Sequence, residues 1–319
     1  MKIIAETGSS ELAMVYIADY GKERILEFVE ALQAPFSRNE RWILMVSTLF
    51  GCPVKCLICD AGGRYHGKPT KEQIFDQIDY LVDLRFPGRV IPCKKFKIQF
   101  ARMGEPALNP AVLDVLSELP FRYKAPGLMP SVSTIAPYGC DAFMDQLIDI
   151  KDEHFSNGKF QFQYSLHSTD QEERDRLIPV KKWNFDQLTK FGDRYLKKND
   201  RKITLNFALG SKVPIDEKVL LNYFDPEKYL VKITPINPTH QAQKNKIESY
   251  IIGDELTEIE EVASKLRLGG YDVIVSIGEL EENNIGSNCG QYVVRHLQGK
   301  EQRIDGYSYP IHKSEGISL

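Results

Sequence analysis

Residues 41–59 read RWILMVSTLFGCPVKCLIC, an apolar run that passes directly into three closely spaced cysteines. The first half of this stretch is rich in β-branched and aromatic residues, which favours a strand. Cys52, Cys56 and Cys59 then fall within eight residues. Thiols this close in sequence cannot all pair usefully in disulfides, and the chain has no readable secretion signal. The stretch therefore predicts a buried strand that presents a metal or cluster site at its carboxyl end.

The rest of the chain alternates short apolar runs with longer amphipathic segments. This alternation is typical of repeated β/α units, and it predicts an α/β fold built as a partial barrel of six such units. Strands are predicted at 41–50, 96–103, 129–136, 160–168, 202–210 and 229–238, with a seventh at 271–279. Helices are predicted at 71–84, 142–150 and 256–268.

Shorter extensions are predicted on both sides of the barrel. Extended runs at 12–20 and 24–32, joined by a turn-like sequence at 21–23, predict a β-hairpin before the first barrel strand. No linker rich in Pro, Gly or Ser divides the chain. We divide it into an N-terminal hairpin extension at 1–40, a barrel core at 41–240 and a C-terminal extension at 241–319 that carries Cys289.

Composition and charge exclude several classes of protein. The 319 residues are 42% hydrophobic and 27% charged, which is typical of a folded globular chain rather than a disordered one. The formal net charge of -3 argues against a protein that holds nucleic acid by bulk electrostatics. No apolar run reaches the length of a membrane span, and no signal peptide is readable. We expect a cytoplasmic protein with no membrane partner.

Polar residues follow the predicted strands at the points where each strand ends. The carboxyl ends of the strands in a βα-barrel meet at one mouth, where such enzymes carry out their chemistry. We therefore expect these residues to lie close to the three cysteines. They are Gly104-Glu105-Pro106, Ser133-Thr134, Ser165-Leu166-His167 and Asn237-Pro238.

The pattern C-x-x-x-C-x-x-C after a first barrel strand resembles the signature of the radical S-adenosylmethionine (SAM) superfamily. The resemblance implies a radical SAM barrel with a 4Fe-4S cluster on Cys52, Cys56 and Cys59. It also implies SAM bound at the open iron and cleaved to a 5′-deoxyadenosyl radical. Five blocks resemble the RlmN/Cfr group of methyl-transferring RNA enzymes, in the order of that family: FARMGEPALNP at 100–110, PSVSTIAPYG at 130–139, YSLHSTDQEERDRLIPV at 164–180, KITPINP at 232–238 and SNCGQ at 287–291.

This resemblance assigns the SAM contacts residue by residue. Gly104 and Glu105 are expected to meet the amino group of SAM, for which a carboxylate is a natural acceptor. Contacts to the ribose, carboxylate or adenine are expected from Ser133, Ser165, Leu166, His167 and Asn237. In the segment after these residues, Arg174 and Arg176 are expected on a solvated helix face.

The resemblance also assigns the catalytic residues. Cys289 matches the cysteine that takes a methyl group from one SAM and presents it for transfer to an sp2 carbon, and a cysteine sulfur is nucleophilic enough for that displacement. Glu27 is the nearest candidate for the glutamate that accepts a proton in this family. An electron donor such as a flavodoxin or ferredoxin is the implied protein partner.

Two features depart from the family pattern. Met45 stands where the family has a second catalytic cysteine, seven residues before the first cluster ligand, and a thioether cannot attack as a thiolate does. We expect no counterpart, before the hairpin, of the N-terminal domain that helps RlmN recognise RNA. With the net charge of -3, this weakens the case for an RNA substrate. The lysine pairs 94–95 and 181–182 are expected on solvated surface.

Two alternatives to RlmN/Cfr-like methyl transfer follow. In the first alternative, the chain is a radical SAM enzyme that acts on a non-RNA substrate by hydrogen abstraction without methyl transfer. In the second, it is a non-catalytic zinc-binding protein. In the second case His66 completes the zinc site with the three clustered cysteines.

Overall fold

The computed structural model describes residues 1–33, 35–210, 213–237, 239–247, 255–276, 285–287, 293 and 309–313. The strands in these ranges are β1 (Lys2–Ser9), β2 (Ala13–Asp19), β3 (Ile25–Ala31), β4 (Arg41–Val46), β5 (Lys95–Phe100), β6 (Leu128–Thr134), β7 (Gln161–Ser165), β8 (Ile203–Leu209), β9 (Tyr229–Pro235), β10 (Val273–Val275) and β11 (His312–Lys313). The α-helices are α1 (Lys71–Arg85), α2 (Ala111–Arg122), α3 (Asp141–His154), α4 (Gln171–Leu177), α5 (Phe185–Tyr195), α6 (Glu217–Tyr223), α7 (His240–Lys244) and α8 (Glu255–Leu268), and a short 3₁₀ helix spans Pro106–Leu108.

All of these strands belong to one sheet, in the order β10-β9-β8-β7-β6-β5-β4-β3-β2-β1-β11. Strands β4 to β9 lie in chain order and pair in parallel, with helices in the connections between them, as the sequence predicts for six β/α units. The short strand β10 adds a seventh parallel strand beside β9. Strands β1, β2 and β3 pair antiparallel and extend the sheet on the other side of β4.

The alternation of side chains along β4 shows how the sheet is packed. Trp42, Leu44 and Val46 are fully buried, and Trp42 stacks on Phe96 of β5 with ring centroids 5.0 Å apart. Burial of each such side chain stabilises the fold by about 1.5–3 kcal/mol. The intervening residues of β4 point to the opposite face and are only partly buried. One face of the sheet therefore lies under the helices, and the other lines the interior of the partial barrel.

The helices begin at capping residues that the sequence contains. Thr70 and Gln73 form a capping box at the start of α1, and Asn184 and Gln187 form another at the start of α5. Each box satisfies backbone N–H groups that have no partner within the helix. The capping chemistry of these two starts is local, so it could be read before the fold is known.

The predicted elements agree with the structure except at the N-terminus and in several connections. The predicted hairpin corresponds to β2 and β3. Strand β1 was not predicted because its run of Ala5, Thr7 and Gly8 is too small and polar to stand out, although pairing with β2 buries it. Helices α2 and α4 to α7 were also missed; α2 carries Pro120, which weakens its helical pattern.

The proposed division at residues 40 and 240 stays a prediction. The hydrogen-bonded sheet crosses the first of these boundaries, because Val29 of β3 pairs with Met45 of β4. No helix in the described ranges is both long and apolar enough to cross a bilayer.

Candidate active site

The three clustered cysteines lie on the loop that follows β4. The amide of Cys52 donates to the carbonyl of Ala61 at 2.7 Å, and the amide of Cys59 donates to the carbonyl of Cys56 at 3.1 Å, so the loop folds back on itself. Gly51, with a φ of +79°, starts this turn; a Cβ at this position would lie 1.4 Å from the carbonyl oxygen of Arg64. The loop thus needs glycine at this point.

Burial determines the protonation of the thiols. It raises the pKa of Cys52 to about 11 and that of Cys56 to about 12, and the nearby carboxylate of Glu105 raises both further. For Cys56 the charge of Cys52 is a larger cause than that of Glu105. The thiols therefore bind protons unless a cation stabilises the thiolates. A soft, positively charged group that ligates thiolates, such as an iron–sulfur cluster, fits this set of donors.

Glu105 lies directly after β5 and connects two strand ends. Gly104 has a φ of +97°, and a Cβ there would lie 2.4 Å from the Cβ of Leu49. The buried carboxylate of Glu105 accepts hydrogen bonds from the Ala107 amide at 3.0 Å, the Thr134 hydroxyl at 2.5 Å and the Ile135 amide at 2.9 Å.

These three bonds partly offset the burial that raises the pKa of Glu105. A carboxylate offers about four acceptor positions, so one is left for a further donor. The charge of Glu105 is also felt by Cys52 and Cys56. The carboxylate therefore lies between the cysteine loop and the end of β6, where it can accept a hydrogen bond from an ammonium group.

The residues predicted at the ends of β6 and β7 lie on neighbouring strands. Ser133 pairs in register with Gln163, and Ser165 pairs with Asn206, so both serines face the barrel interior with their partners. The side chain of Leu166 is fully buried, and its amide donates to the carbonyl of Asn206 at 3.0 Å. Leu166 therefore contributes core packing and a fixed backbone rather than a polar side-chain contact.

His167 has a φ of +66°, an uncommon conformation for a residue with a Cβ. Its Nδ1 accepts a hydrogen bond from the Ala208 amide at 3.1 Å, which places the proton of the neutral ring on Nε2. Burial lowers the pKa of His167 to about 4, and the nearby charge of Arg174 lowers it further. The ring is therefore neutral at physiological pH and offers one N–H donor.

The loop after β9 is tied to the cysteine loop. The carbonyl of Asn237 accepts from the Thr239 amide at 2.7 Å, and the Thr239 hydroxyl donates to the carbonyl of Ile58 at 2.9 Å. The carboxylate of Asp60 accepts from the first amides of α7, including that of Gln241 at 2.8 Å. The first and sixth barrel strands thus end at one shared cluster of loops, as predicted.

Arg174 was predicted on a solvated face, and this prediction is wrong. Its side chain on α4 is fully buried; Nη1 donates to the carbonyl of Trp183 at 2.7 Å, whereas Nε and Nη2 have no hydrogen-bond partner among the described residues. Burial lowers the pKa of Arg174 to about 10, so it keeps its charge at neutral pH. Arg176 does lie exposed and pairs with Glu173 at 2.6 Å.

Two of the lysines expected on the surface also differ in exposure, since one is buried and the other is exposed. Lys182 has a side chain that is 1% exposed, and it pairs with Asp175 at 2.5 Å, so the prediction of a solvated lysine is wrong here. Lys94 is exposed, as predicted. Lys182 lies in the connection between α4 and α5, where its ammonium also donates to the carbonyl of Ile178 at 3.0 Å.

Glu27 lies fully buried in β3, where its carboxylate is 2.6 Å from a guanidinium nitrogen of Arg102. The carboxylate also accepts from the Val293 amide at 3.0 Å, and Arg102 donates to the carbonyl of Ser287 at 2.7 Å. Ser287 and Val293 flank Cys289 in the sequence; Cys289 itself lies outside the described residues. Arg102 was not predicted as a site residue, since only the fold brings it to this segment.

Two further predicted positions can be located. Met45 is partly exposed on the interior face of β4, where it pairs with Val29 and Gln99. The Nδ1 atom of His66 is 3.9 Å from a carboxylate oxygen of Glu23. Within the described parts of the chain, no three His, Cys, Asp or Glu side chains are grouped closely enough to hold a single metal ion.

Comparisons with known proteins give a consistent group of relatives. No family model matches the chain. The "Probable dual-specificity RNA methyltransferase RlmN" of Chlorobium phaeobacteroides is 26% identical over 288 residues, which are 87% of this chain and 73% of that protein. The Prochlorococcus marinus protein of the same name is 27% identical over 187 residues, 57% of this chain, and the match spans about half (49%) of that relative.

A solved structure shares the fold. The crystal structure of a radical SAM methyltransferase from Sphaerobacter thermophilus matches 91% of this chain and 80% of its own, with a TM-score of 0.69 at 18% identity. The predicted α/β partial barrel is thereby confirmed.

Proposed function

The chain is related to the RlmN group of radical SAM methyltransferases, and from this relationship we propose that it is itself a radical SAM methyltransferase. Cys52, Cys56 and Cys59 hold a 4Fe-4S cluster in this proposal, and SAM binds beside it at the mouth of the barrel. One observation carries the proposal: the buried carboxylate of Glu105 lies close enough to the thiols of Cys52 and Cys56 to raise the pKa of both. The cysteine loop and the predicted SAM-binding strand end are thus adjacent.

When bound, the cluster and SAM supply the electron transfer and the radical, while the protein supplies position and exclusion of water. Binding of the cluster requires the three thiols to lose protons, and burial raises the pKa of two of them, Cys52 and Cys56. The free acceptor position of Glu105 suits the ammonium group of SAM. The Nε2–H of neutral His167 supplies one donor for hydroxyl and carboxylate oxygens. The Nε and Nη2 atoms of Arg174, which have no hydrogen-bond partner in the described parts of the chain, supply others.

Gly104, Ser133, Ser165, Leu166 and Asn237 complete the proposed SAM site. Gly104 allows the chain to pass against Leu49, and the other four residues lie at or beyond the ends of β6, β7 and β9. They shape the pocket by backbone position and by short polar side chains. Because the side chain of Leu166 is fully buried, it excludes bulk water from one side of the proposed site.

Cys289 is the proposed methyl carrier, and the methyl group is transferred to an sp2 carbon of the substrate. An RNA adenosine is one candidate for this substrate. The contacts of Glu27 and Arg102 with Val293 and Ser287 support a position of this segment near the end of β5. Because Glu27 forms an ion pair with Arg102, its ability to accept a proton depends on that pair. A flavodoxin or ferredoxin as electron donor and a cytoplasmic location belong to the same proposal.

Anaerobic reconstitution with iron and sulfide tests the proposal. We expect about four iron and four sulfide per chain and formation of 5′-deoxyadenosine from SAM under reducing conditions. Cys56→Ala is expected to lose both, whereas Cys93→Ala, which changes a buried cysteine of another region, keeps the iron. Stoichiometric zinc under the same conditions, with no sulfide, would instead establish the zinc-binding alternative.

A second candidate function is hydrogen abstraction from a non-RNA substrate without methyl transfer. Met45 favours it, because this thioether faces the barrel interior where the family has its second catalytic cysteine. SAM with a deuterated methyl group separates the two candidates. Mass spectrometry of the peptide containing Cys289 shows a labelled methyl if the chain transfers methyl groups, and an unlabelled peptide together with 5′-deoxyadenosine if it only abstracts hydrogen.

A further inference from the structure

One buried ion pair holds together segments that are far apart in the sequence. Arg102 follows β5, and its guanidinium lies 2.6 Å from the carboxylate of Glu27 on β3; their side chains are 1% and 0% exposed. The same guanidinium donates to the carbonyls of Gly286 at 2.8 Å and Ser287 at 2.7 Å. The carboxylate in turn accepts from the amide of Val293 at 3.0 Å. The pair therefore bonds to both ends of one segment, from Gly286 to Val293.

The described residues at the two ends of this segment are also buried. Ile285 and Ser287 are fully buried and Val293 is 5% exposed, and the side chains of Ile285 and Val293 belong to the hydrophobic core. Apolar contacts have no preferred direction, whereas the N–H groups of a planar guanidinium do. The packing therefore holds the two ends against the barrel, and the ion pair sets their orientation.

The stability of the fold does not by itself require charges at these positions. A buried ion pair loses its hydration, and well-packed apolar residues of similar volume often replace such a pair without loss of stability. Arg102 does what an apolar side chain cannot, because its donors in one plane serve a carboxylate and two carbonyls. This bonding pattern indicates that the pair fixes the C-terminal segment relative to β3 and the end of β5.

The backbone that carries Arg102 is part of the proposed SAM site. Glu105, the proposed acceptor of the SAM ammonium group, lies three residues further along the chain. The Arg102 amide donates to the carbonyl of Val46 at 3.1 Å, and the carbonyl of Met103 accepts from the amide of Thr48 at 2.8 Å. The cysteine loop begins beyond these last residues of β4 and its extension. Arg102 thus connects the C-terminal segment to both the cysteine loop and the SAM-binding turn.

Glu27 brings the same segment to the face of the sheet that carries Met45. Met45 pairs in register with Val29, which is two residues after Glu27 on β3. Side chains two residues apart on a strand lie on one face, and so do side chains paired in register. Glu27 and Met45 therefore both face the barrel interior. The amide of Val293, which donates to Glu27, is bound on that side of the sheet.

Cys289, which lies outside the described residues, follows Ser287 by two positions in the sequence. Two residues of chain span at most about 7 Å, so an anchor at Ser287 limits the positions that the thiol can take. We propose that the ion pair of Arg102 with Glu27 positions Cys289 against the SAM-binding turn, with Arg102 as the positioning residue. The role in methyl transfer rests on the proposed function; the anchoring of the segment does not.

Hydrogen–deuterium exchange followed by mass spectrometry tests the anchoring in the purified full chain, without iron or SAM. Arg102→Met is expected to increase the exchange rate of the peptide containing residues 286–293 at least tenfold. Arg85→Met is the matched control, because Arg85 pairs with Glu30, a buried carboxylate on the opposite face of β3. It should leave the exchange rate of this peptide within twofold of the wild type.

A double variant separates anchoring from general stability. Glu27→Met and Arg102→Met in one chain leave no unpaired buried charge, so the urea midpoint should be higher than that of Arg102→Met alone. The 286–293 peptide should still exchange at least tenfold faster than in the wild type, because the anchor is absent. Wild-type exchange in both variants would overturn the proposal. So would an equal increase in Arg85→Met, since the effect would then report general stability.

Labelling of Cys289 tests the positioning role. In the proposed step the thiol loses its proton to solvent, its sulfur bonds to the methyl carbon of SAM, and the bond from that carbon to the sulfonium sulfur breaks to release S-adenosylhomocysteine. The reconstituted protein is incubated with SAM that carries a deuterated methyl group, and the labelled fraction of the Cys289 peptide is measured by mass spectrometry. Arg102→Met and the double variant should lower the rate of labelling at least tenfold at equal iron content, and Arg85→Met should retain it.

The outcomes of the two measurements distinguish the two proposals. Labelling of Cys289 at the wild-type rate in Arg102→Met would refute the positioning role. Faster exchange of the 286–293 peptide in Arg102→Met, together with no label on Cys289 in the wild type, would refute the proposed methyl carrier alone and establish the anchor.

Discussion

Lys97→Met is expected to stabilise the protein, by an amount that depends on pH. The pKa of Lys97 is lowered from 10.5 to about 7 by burial among apolar residues and cations. One pKa unit corresponds to about 1.4 kcal/mol, so the penalty for charging Lys97 in the folded protein approaches about 5 kcal/mol near neutral pH. Methionine has nearly the same length and no charge, so it removes the penalty without creating a cavity.

The sign of the pH dependence follows from the two protonation states. Above pH 10.5 both the folded and the unfolded chain carry a neutral amine, and Lys97 does not affect stability. As the pH falls from 10.5 toward 7, the unfolded chain binds a proton that the folded chain does not, so the wild type loses stability. Below pH 7 both states are charged, and the penalty stays constant.

Urea unfolding followed by circular dichroism, under anaerobic conditions and in phosphate-free buffer, measures this effect. The free energy of unfolding of Lys97→Met minus that of the wild type is expected to grow by about 1.4 kcal/mol per pH unit between about pH 9.5 and 7.5. Lys198→Met, an exposed change, should show a constant difference. A difference for Lys97→Met that is the same at pH 7.5, 8.5 and 9.5 would refute the reasoning, because Lys97 would then not titrate abnormally.

Three further outcomes are expected. Arg102→Met removes the cation that pairs with the buried carboxylate of Glu27, and it should lower the free energy of unfolding in urea by about 3–5 kcal/mol. Adding Glu27→Gln to the same chain should restore part of this loss. An unchanged free energy of unfolding in Arg102→Met would show that the pair is dispensable. Gly104→Ala places a Cβ 2.4 Å from that of Leu49 and should reduce SAM binding at least tenfold in equilibrium dialysis with iron content unchanged; wild-type affinity would contradict the close approach. Arg174→Met should weaken SAM binding more than Arg176→Met does, and equal effects would remove Arg174 from the site.

The cysteine stretch and the strand ends could be identified from sequence because their signals are local. Three thiols within eight residues are visible without a structure, as are the Gly104-Glu105 turn and the short polar runs after each strand. The parallel order of the strands follows from the alternation of apolar runs and amphipathic helices. Since the carboxyl ends of such strands meet at one edge, the location of the site follows as well.

The buried cations could not be identified in the same way. Arg174 was predicted on a solvated helix face, because nothing in its own helix shows that its guanidinium packs inward and donates to the carbonyl of Trp183. The sequence yielded no prediction for Lys97, whose neighbours Ile43 and Met129 come from the two adjoining strands. The ion pair of Arg102 with Glu27 joins residues 75 positions apart (102 − 27).

The sequence by itself thus determined the barrel and the mouth with its cysteine loop, since backbone periodicity and short-range spacing are written along the chain. Only the tertiary structure decided which charged side chains are removed from water. Desolvation and Coulomb interactions depend on distance through space, and the curvature of the sheet sets that distance.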